Sequence, residues 1–239
     1  MCIKKRNARA MIFGGLNPLT LIDYPGKTSA MVYTIGCNFR CGYCHNPELV
    51  DETVEDTYSE EYVLSFLEKR VGLLDAVTIT GGEPTMHEET LLSFMQKVKD
   101  LGFLVKLDSN GTNPNFLRKA IDRQIVDYIA MDIKAPLAKY YVTAGRPVDT
   151  DAIRQSVALL KEDRVDYEFR TTVIKILTSP EDIEAIAKEI EGAKIYNLQK
   201  FVPTKTLNPQ FLRKTTYTDE EFLEFQKTCA RYVTFCGIR

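Results

Sequence analysis

Ala30-Met31-Val32-Tyr33-Thr34-Ile35 runs straight into Gly36-Cys37-Asn38-Phe39-Arg40-Cys41-Gly42-Tyr43-Cys44-His45-Asn46. The first part is short, apolar and partly β-branched, the pattern of a strand buried on both faces, and a glycine closes it. The second part places three cysteines, spaced x3 and x2, in the loop directly after that strand. A strand whose end delivers ligand-capable side chains is the unit from which α/β active sites are assembled.

The unit recurs along the chain. Comparable runs lie at 76–80, 104–108, 128–133, 168–174 and 195–201, making six expected strands with 30–35. Between and after them, apolar residues at helical period predict helices over 59–74, 88–101, 115–124, 151–163, 180–191 and 219–232. Ser179 followed by Pro180, and Thr218 followed by Glu221, are helix-start signals. Strands alternating with helices indicate a parallel sheet. The expected fold class is therefore α/β, with six right-handed βα units curving into a partial (β/α)6 TIM-like barrel; a doubly wound open sheet shares the local pattern. No repeat or long linker divides the chain. Residues 30–239 are expected to form the barrel. Residues 1–29 are expected to form a hairpin extension packed at its entrance, from runs at 12–13 and 19–22 with turns at Gly14-Gly15 and Pro25-Gly26.

The 239 residues carry 31 Lys+Arg against 33 Asp+Glu, a formal charge of −2. The sequence pI of about 5.9 argues against a nucleic-acid partner. The one basic cluster, Lys4, Lys5, Arg6 and Arg9, is read as a solvated tail. No apolar run reaches the ~20 residues of a membrane span, and no secretory leader is visible, so a cytoplasmic protein is expected. Six cysteines in such a chain point to metal or catalytic chemistry rather than disulfides.

Three thiolates within eight residues can converge on one centre. Structural zinc takes four protein ligands, usually two separated pairs. Cys2, Cys229 and Cys236 supply no second pair, and His87 is distant in sequence. A zinc module with His45 as fourth ligand remains one alternative, and a plain iron–sulfur electron carrier another. A [4Fe–4S] cluster held by three cysteines would leave one iron open to a further ligand.

The CxxxCxxC spacing, with the aromatic Tyr43 before the last cysteine, resembles the radical S-adenosylmethionine (SAM) superfamily. That resemblance implies a [4Fe–4S] cluster held by Cys37, Cys41 and Cys44, which are both metal ligands and catalytic, with SAM at the open iron and Tyr43 among the cofactor contacts. Thr80-Gly81-Gly82-Glu83-Pro84 is similar to the family's GGE segment, which implies that Gly81, Gly82 and Glu83 meet the SAM amino group. Asp108-Ser109-Asn110 and Met131-Asp132-Ile133-Lys134 look like strand-end motifs of proteins that activate glycyl radical enzymes. By that likeness Lys134 pairs with the SAM carboxylate, while Asp108, Ser109 and Asp132 help hold a monovalent cation. Asn110 falls beside the cofactor, Arg170 reaches SAM or the substrate loop, and Gln199, Phe201 and Pro203 line the site.

LTLIDYPGK (19–27), GCNFRCGYCHNPELV (36–50), TGGEPT (80–85) and MDIKAP (131–136) together resemble the activating proteins of anaerobic ribonucleoside-triphosphate reductase. A glycyl radical enzyme is then the implied protein substrate, and flavodoxin or ferredoxin the electron donor. Pyruvate formate-lyase or another glycyl radical enzyme is the alternative partner, and a small molecule or peptide the alternative substrate. No cysteine lies between Cys44 and Cys229, so a ferredoxin-like insert is not expected, and Cys2, Cys229 and Cys236 read as ordinary thiols.

Overall fold

The computed structural model describes residues 10–239; Cys2 and the Lys4, Lys5, Arg6 and Arg9 cluster lie outside the described residues. In chain order the elements are β1 (Ile12–Thr20), β2 (Ser29–Thr34), α1 (Pro47–Asp51), β3 (Tyr58–Ser59), α2 (Glu60–Glu68), β4 (Ala76–Gly81), α3 (Glu88–Asp100), β5 (Leu104–Ser109), α4 (Pro114–Asp122), β6 (Tyr128–Asp132), α5 (Tyr140–Ala144), α6 (Thr150–Lys161), β7 (Asp166–Val173), α7 (Pro180–Glu189), β8 (Ile195–Lys200), α8 (Asp219–Cys229) and β9 (Phe235–Ile238). Short 3-10 turns occupy Pro84–His87, Leu137–Lys139 and Pro209–Arg213.

All strands join one nine-stranded sheet in the order β3-β1-β2-β4-β5-β6-β7-β8-β9. Pairing is parallel throughout from β2 to β9, and antiparallel between β1 and its neighbours β2 and β3. The two ends, β3 and β9, do not pair, so the barrel is partial. Arg170 of β7 bonds to Asp132 at the end of β6 and to Asp108 on β5, two strands away, a reach that requires the sheet to curve around its inner face.

Each expected strand is present with its ends within two residues of expectation. The helices form because their apolar residues share one face: α3 buries Leu91, Leu92, Phe94, Met95 and Val98. Each such side chain contributes about 1.5–3 kcal/mol on leaving water. The Ser179 and Thr218 start signals are complete capping boxes on α7 and α8. The expected helix over 59–74 stops at Glu68, ahead of a turn in which Gly72 has φ +78°.

The N-terminal expectation is corrected. Gly14-Gly15 is not a turn but part of β1, which pairs with β2 across a local register shift. Gly14 is small for another reason: a Cβ there would lie 2.5 Å from Leu49 Cδ2 and 2.9 Å from Ile35 Cγ1. Phe13 stacks on Phe94 at 4.7 Å and ties β1 to α3. The hairpin turn is instead at Tyr24-Pro25-Gly26-Lys27, closed by the Lys27 N–H to the Tyr24 carbonyl with Gly26 at φ +70°. It connects β1 to β2 at the N-terminal ends of the parallel strands, opposite the barrel entrance. The short elements β3, β9, α1 and α5 were not expected; β9 has only four residues and is defined by its register on β8, Ile195 opposite Phe235.

Candidate active site

The C-terminal ends of β2, β4, β5, β6 and β7 surround one cleft of about 880 Å³, counted to its open mouth. All the residues assigned above to the cluster and to SAM line it: Cys37, Cys41, Cys44 and Tyr43; Gly81, Gly82 and Glu83; Asp108, Ser109 and Asn110; Asp132, Lys134 and Arg170. Gln199 and Pro203 do not line it, and Phe201 contributes indirectly, by packing against the Tyr43 and His45 rings. Thr80, Phe39, His45, Asn46, Val50 and Thr172 line the cleft although no site role was assigned to them.

The cysteine loop is fixed by its backbone. Gly36 N–H donates to Leu49 O at 2.7 Å, and Glu83 N–H to Gly36 O at 2.9 Å. Gly82 is needed there because a Cβ would collide with the Gly36 carbonyl. Arg40 Nη1 donates to the carbonyls of Cys37 and Phe39 at 2.7 and 2.9 Å, and Phe39 N–H points back to Cys37 Sγ at 3.4 Å. Asn110 Nδ2 donates to Asn38 Oδ1 and Asn38 Nδ2 to Thr112 Oγ1, both at 2.8 Å, which stitches the loop to the end of β5.

Burial pushes the Cys37 thiol up to about 12 and raises Cys41 as well. Thiolates are therefore disfavoured at these positions unless a cationic centre compensates. Among the described residues no three His, Cys, Asp or Glu side chains close on a point as a single ion requires; the sulfurs instead border a cleft with room for a multi-iron cube. Tyr43 lines the same cleft, and its buried Oη lies near Cys41 and Lys134. The donor set and the glycine-lined wall thus fit a three-cysteine [4Fe–4S] cluster with an organic ligand beside it.

Glu83 of the GGE segment is tied into the protein by four hydrogen bonds. Its Oε1 accepts from Thr85 N–H at 3.1 Å, Thr85 Oγ1 at 2.5 Å and Ser109 Oγ at 2.8 Å, and its Oε2 from Asn110 N–H at 2.7 Å. A carboxylate has about four acceptor sites, so Glu83 chiefly clamps the end of β4 to the end of β5, and only Oε2 keeps spare capacity.

Across the cleft stands a chain of alternating charges. Arg170 Nε donates to Asp132 Oδ1 at 2.8 Å and Arg170 Nη1 to Asp108 Oδ2 at 3.2 Å; Lys134 Nζ takes Asp132 Oδ2 at 2.9 Å, and Lys106 takes Asp108. Burial works to raise both carboxyls, but the neighbouring cations outweigh it and hold Asp108 and Asp132 below the usual carboxylate range. Burial likewise works to strip Lys134 of its proton, and Asp132 outweighs it, so Lys134 Nζ stays charged. Arg170, Lys106 and Lys134 are the positive charges paired with the two aspartates, and the Ser109 hydroxyl donates to Glu83.

Below this layer, fully buried Glu168 accepts from Arg239 Nη1 and Nη2 at 3.1 and 2.9 Å and from Asn197 Nδ2 at 2.6 Å. Lys106, Glu168, Asn197 and Arg239 escaped the sequence reading. The available signal was period two: Lys106 with Asp108, and Glu168 with Arg170, alternate on one strand face inside runs read only as buried. Asp23 and Tyr24 lie at the far end of the barrel, where Tyr24 packs on Tyr128 at 5.5 Å, and Cys229 and Cys236 are buried in the core away from the cleft.

The Radical SAM superfamily profile matches residues 31–190. A Methanocaldococcus jannaschii protein named for glycyl-radical enzyme activation is 32% identical over 237 residues, covering 95% of each chain. The pyruvate formate-lyase-activating enzyme of Listeria monocytogenes is 30% identical over 125 residues, 47% of this chain and 49% of that one. Among solved structures, a radical SAM methyltransferase from Sphaerobacter thermophilus matches with a TM-score of 0.66 at 18% identity, over 92% of this chain and 68% of that one, a likeness of fold. The chain belongs to the radical SAM superfamily. Within it, the chain falls in the glycyl-radical-enzyme activating group. No described helix is long and apolar enough to cross a membrane.

Proposed function

We propose that this chain binds a [4Fe–4S] cluster through Cys37, Cys41 and Cys44, cleaves SAM reductively, and generates a glycyl radical on anaerobic ribonucleoside-triphosphate reductase. The observation that carries the reading is the convergence of four strand-end motifs, Cys37 to Cys44, Gly81 to Glu83, Asp108 to Asn110 and Asp132 to Lys134, on one cleft. When bound, the cluster and SAM supply the hard chemistry, one-electron cleavage of the sulfonium to a 5′-deoxyadenosyl radical.

The chain's own residues bind and orient. The Gly81 and Gly82 carbonyls accept from the SAM ammonium. Lys134 Nζ, kept charged by Asp132, pairs with the SAM carboxylate through protons that Asp132 does not use. Arg170 fixes Asp132, and the Tyr43 hydroxyl offers the bound cofactor a hydrogen-bond partner. Phe39, Tyr43 and Val50 give the cleft apolar wall that excludes water from the reacting atoms. The run 19–27 and the strand-end motifs support the reductase as partner; the likeness to pyruvate formate-lyase-activating enzyme keeps that partner as the second reading.

The test is anaerobic reconstitution with iron and sulfide, reduction by dithionite and addition of SAM. 5′-Deoxyadenosine should appear, and should vanish when any of Cys37, Cys41 or Cys44 is changed to Ala. Paramagnetic resonance should then detect a glycyl radical on the reductase and not on pyruvate formate-lyase. SAM cleavage by Cys41→Ala would defeat the cluster assignment, and a radical formed only on pyruvate formate-lyase would defeat the choice of partner.

A further inference from the structure

The cysteine loop has two faces. Phe39, Cys41 and Tyr43 line the cleft, while the residues between them, Arg40 and Gly42, do not. Arg40 N–H donates to the Ala144 carbonyl at 2.7 Å, and the end of α5 is so close that Gly145 has no room for a Cβ against the Arg40 carbonyl. At Gly42, a Cβ would lie 2.5 Å from Phe211 Cε2, and Asn208 N–H donates to the Gly42 carbonyl at 2.8 Å. Arg40 and Gly42 are two residues apart, no more than about 7 Å of extended chain. The end of α5 and the Pro209–Arg213 turn therefore pack on the two residues that flank Cys41.

The surface these two segments present is mixed. Tyr141, Val142 and Leu212 are 64, 53 and 45% exposed. Arg146 and Arg213 are exposed, Lys214 is half-buried, and among the described residues none of the three forms an ion pair. Of the acids in the adjoining segments, Asp51 pairs with Arg40 at 3.9 Å, Glu48 pairs with Lys205, and Asp149 caps α6. An aromatic and two aliphatic side chains carried on the same two segments as three unpaired cations, in a protein of net charge −2, are the make-up of an interface for an acidic partner.

We propose that this surface docks the acidic one-electron carrier protein that reduces the cluster, a reading that rests on the cluster assignment above. The placement explains the chemistry: an electron entering here has only the cysteine loop to cross, and the cleft stays free for SAM and the substrate loop. In the step itself one electron leaves the carrier, which is oxidised by one electron, and enters the cluster, which is reduced by one; no bond forms or breaks. Arg146, Arg213 and Lys214 steer the encounter, and Tyr141, Val142 and Leu212 form its apolar centre.

The experiment compares the reconstituted wild-type protein with the triple variant Arg146→Glu, Arg213→Glu, Lys214→Glu, and with the milder variant carrying Gln at the same positions. Reduced flavodoxin is mixed with each, and cluster reduction is followed by its absorbance at several salt concentrations. The expected result is a bimolecular rate at low salt lowered about tenfold or more by charge reversal, less by neutralisation, with a flatter salt dependence, while reduction by dithionite and SAM binding are unchanged. An unchanged rate with flavodoxin would overturn the proposal. So would a variant that accepts flavodoxin electrons normally but loses radical transfer to the glycyl radical enzyme, because the surface would then belong to the substrate. A wild-type protein that takes up no cluster would overturn the underlying assignment together with this one, and is recognised by its lack of iron.

Discussion

Gly82 and Lys134 separate what folds the cleft from what fills it. At Gly82 the Gly36 carbonyl occupies the place of a Cβ, so Gly82→Ala must push the cysteine loop away and lose the bond from Glu83 N–H. We expect a loss of about 1–3 kcal/mol in stability, read by thermal melting, and a far larger loss of SAM binding, read by calorimetry on the reconstituted protein. Lys134→Met keeps the stem but removes the charge, leaving Asp132 with Arg170 alone. SAM affinity should fall at least tenfold while iron content stays at the wild-type level; unchanged SAM affinity would remove Lys134 from the cofactor site. Glu83→Gln should destabilise by about 1–3 kcal/mol, because an amide nitrogen then faces groups that donate to the carboxylate.

At the scale of the element, the helices are held by local devices that do not touch the cleft. Ser179 caps α7 by accepting from Asp182 N–H, and Asp182 returns a bond to the Ser179 N–H. Ser179→Ala should cost about 1 kcal/mol, a fall in melting temperature of roughly 2–4 °C for a chain of this size, with SAM cleavage per cluster unaltered. A matching loss of cleavage would show that α7 couples to the site.

For the whole molecule, the inner charge network predicts how stability depends on pH. Asp108 and Asp132 have folded-state values below their unfolded value of about 3.9. Their contribution is therefore fully present above that value and is lost as pH falls through the folded values. Melting temperature should drop steeply below about pH 4, and Asp132→Asn should flatten that drop while lowering stability at neutral pH. At the other end of the barrel, Arg239→Gln would leave fully buried Glu168 with only Asn197, at a cost of about 3 kcal/mol, the low end for a broken buried pair because Arg239 is half exposed. Denaturant midpoints measure this; a change below about 0.5 kcal/mol would show that water replaces the guanidinium.

The order of strands and helices, the cysteine triplet and the strand-end motifs were legible in the sequence because each is a local pattern: buried strands are short apolar runs, helices repeat at 3.6 residues, and cofactor-binding segments sit where strands end. Gly14 misled because a glycine required by close packing looks the same in sequence as one required by a turn. The clamp that Glu83 makes was not legible, because a carboxylate's partners are set by residues such as Ser109 and Asn110, brought up by the next strand. By itself the sequence determined the fold class and the residues that would gather at one end of the barrel. Only the tertiary structure decided which charges neutralise one another, that Arg170 spans three strands, and that α5 and the Pro209–Arg213 turn pack on the residues flanking Cys41. Those contacts join residues far apart in the chain, and their partners are chosen by the curvature and register of the sheet, which no local pattern encodes.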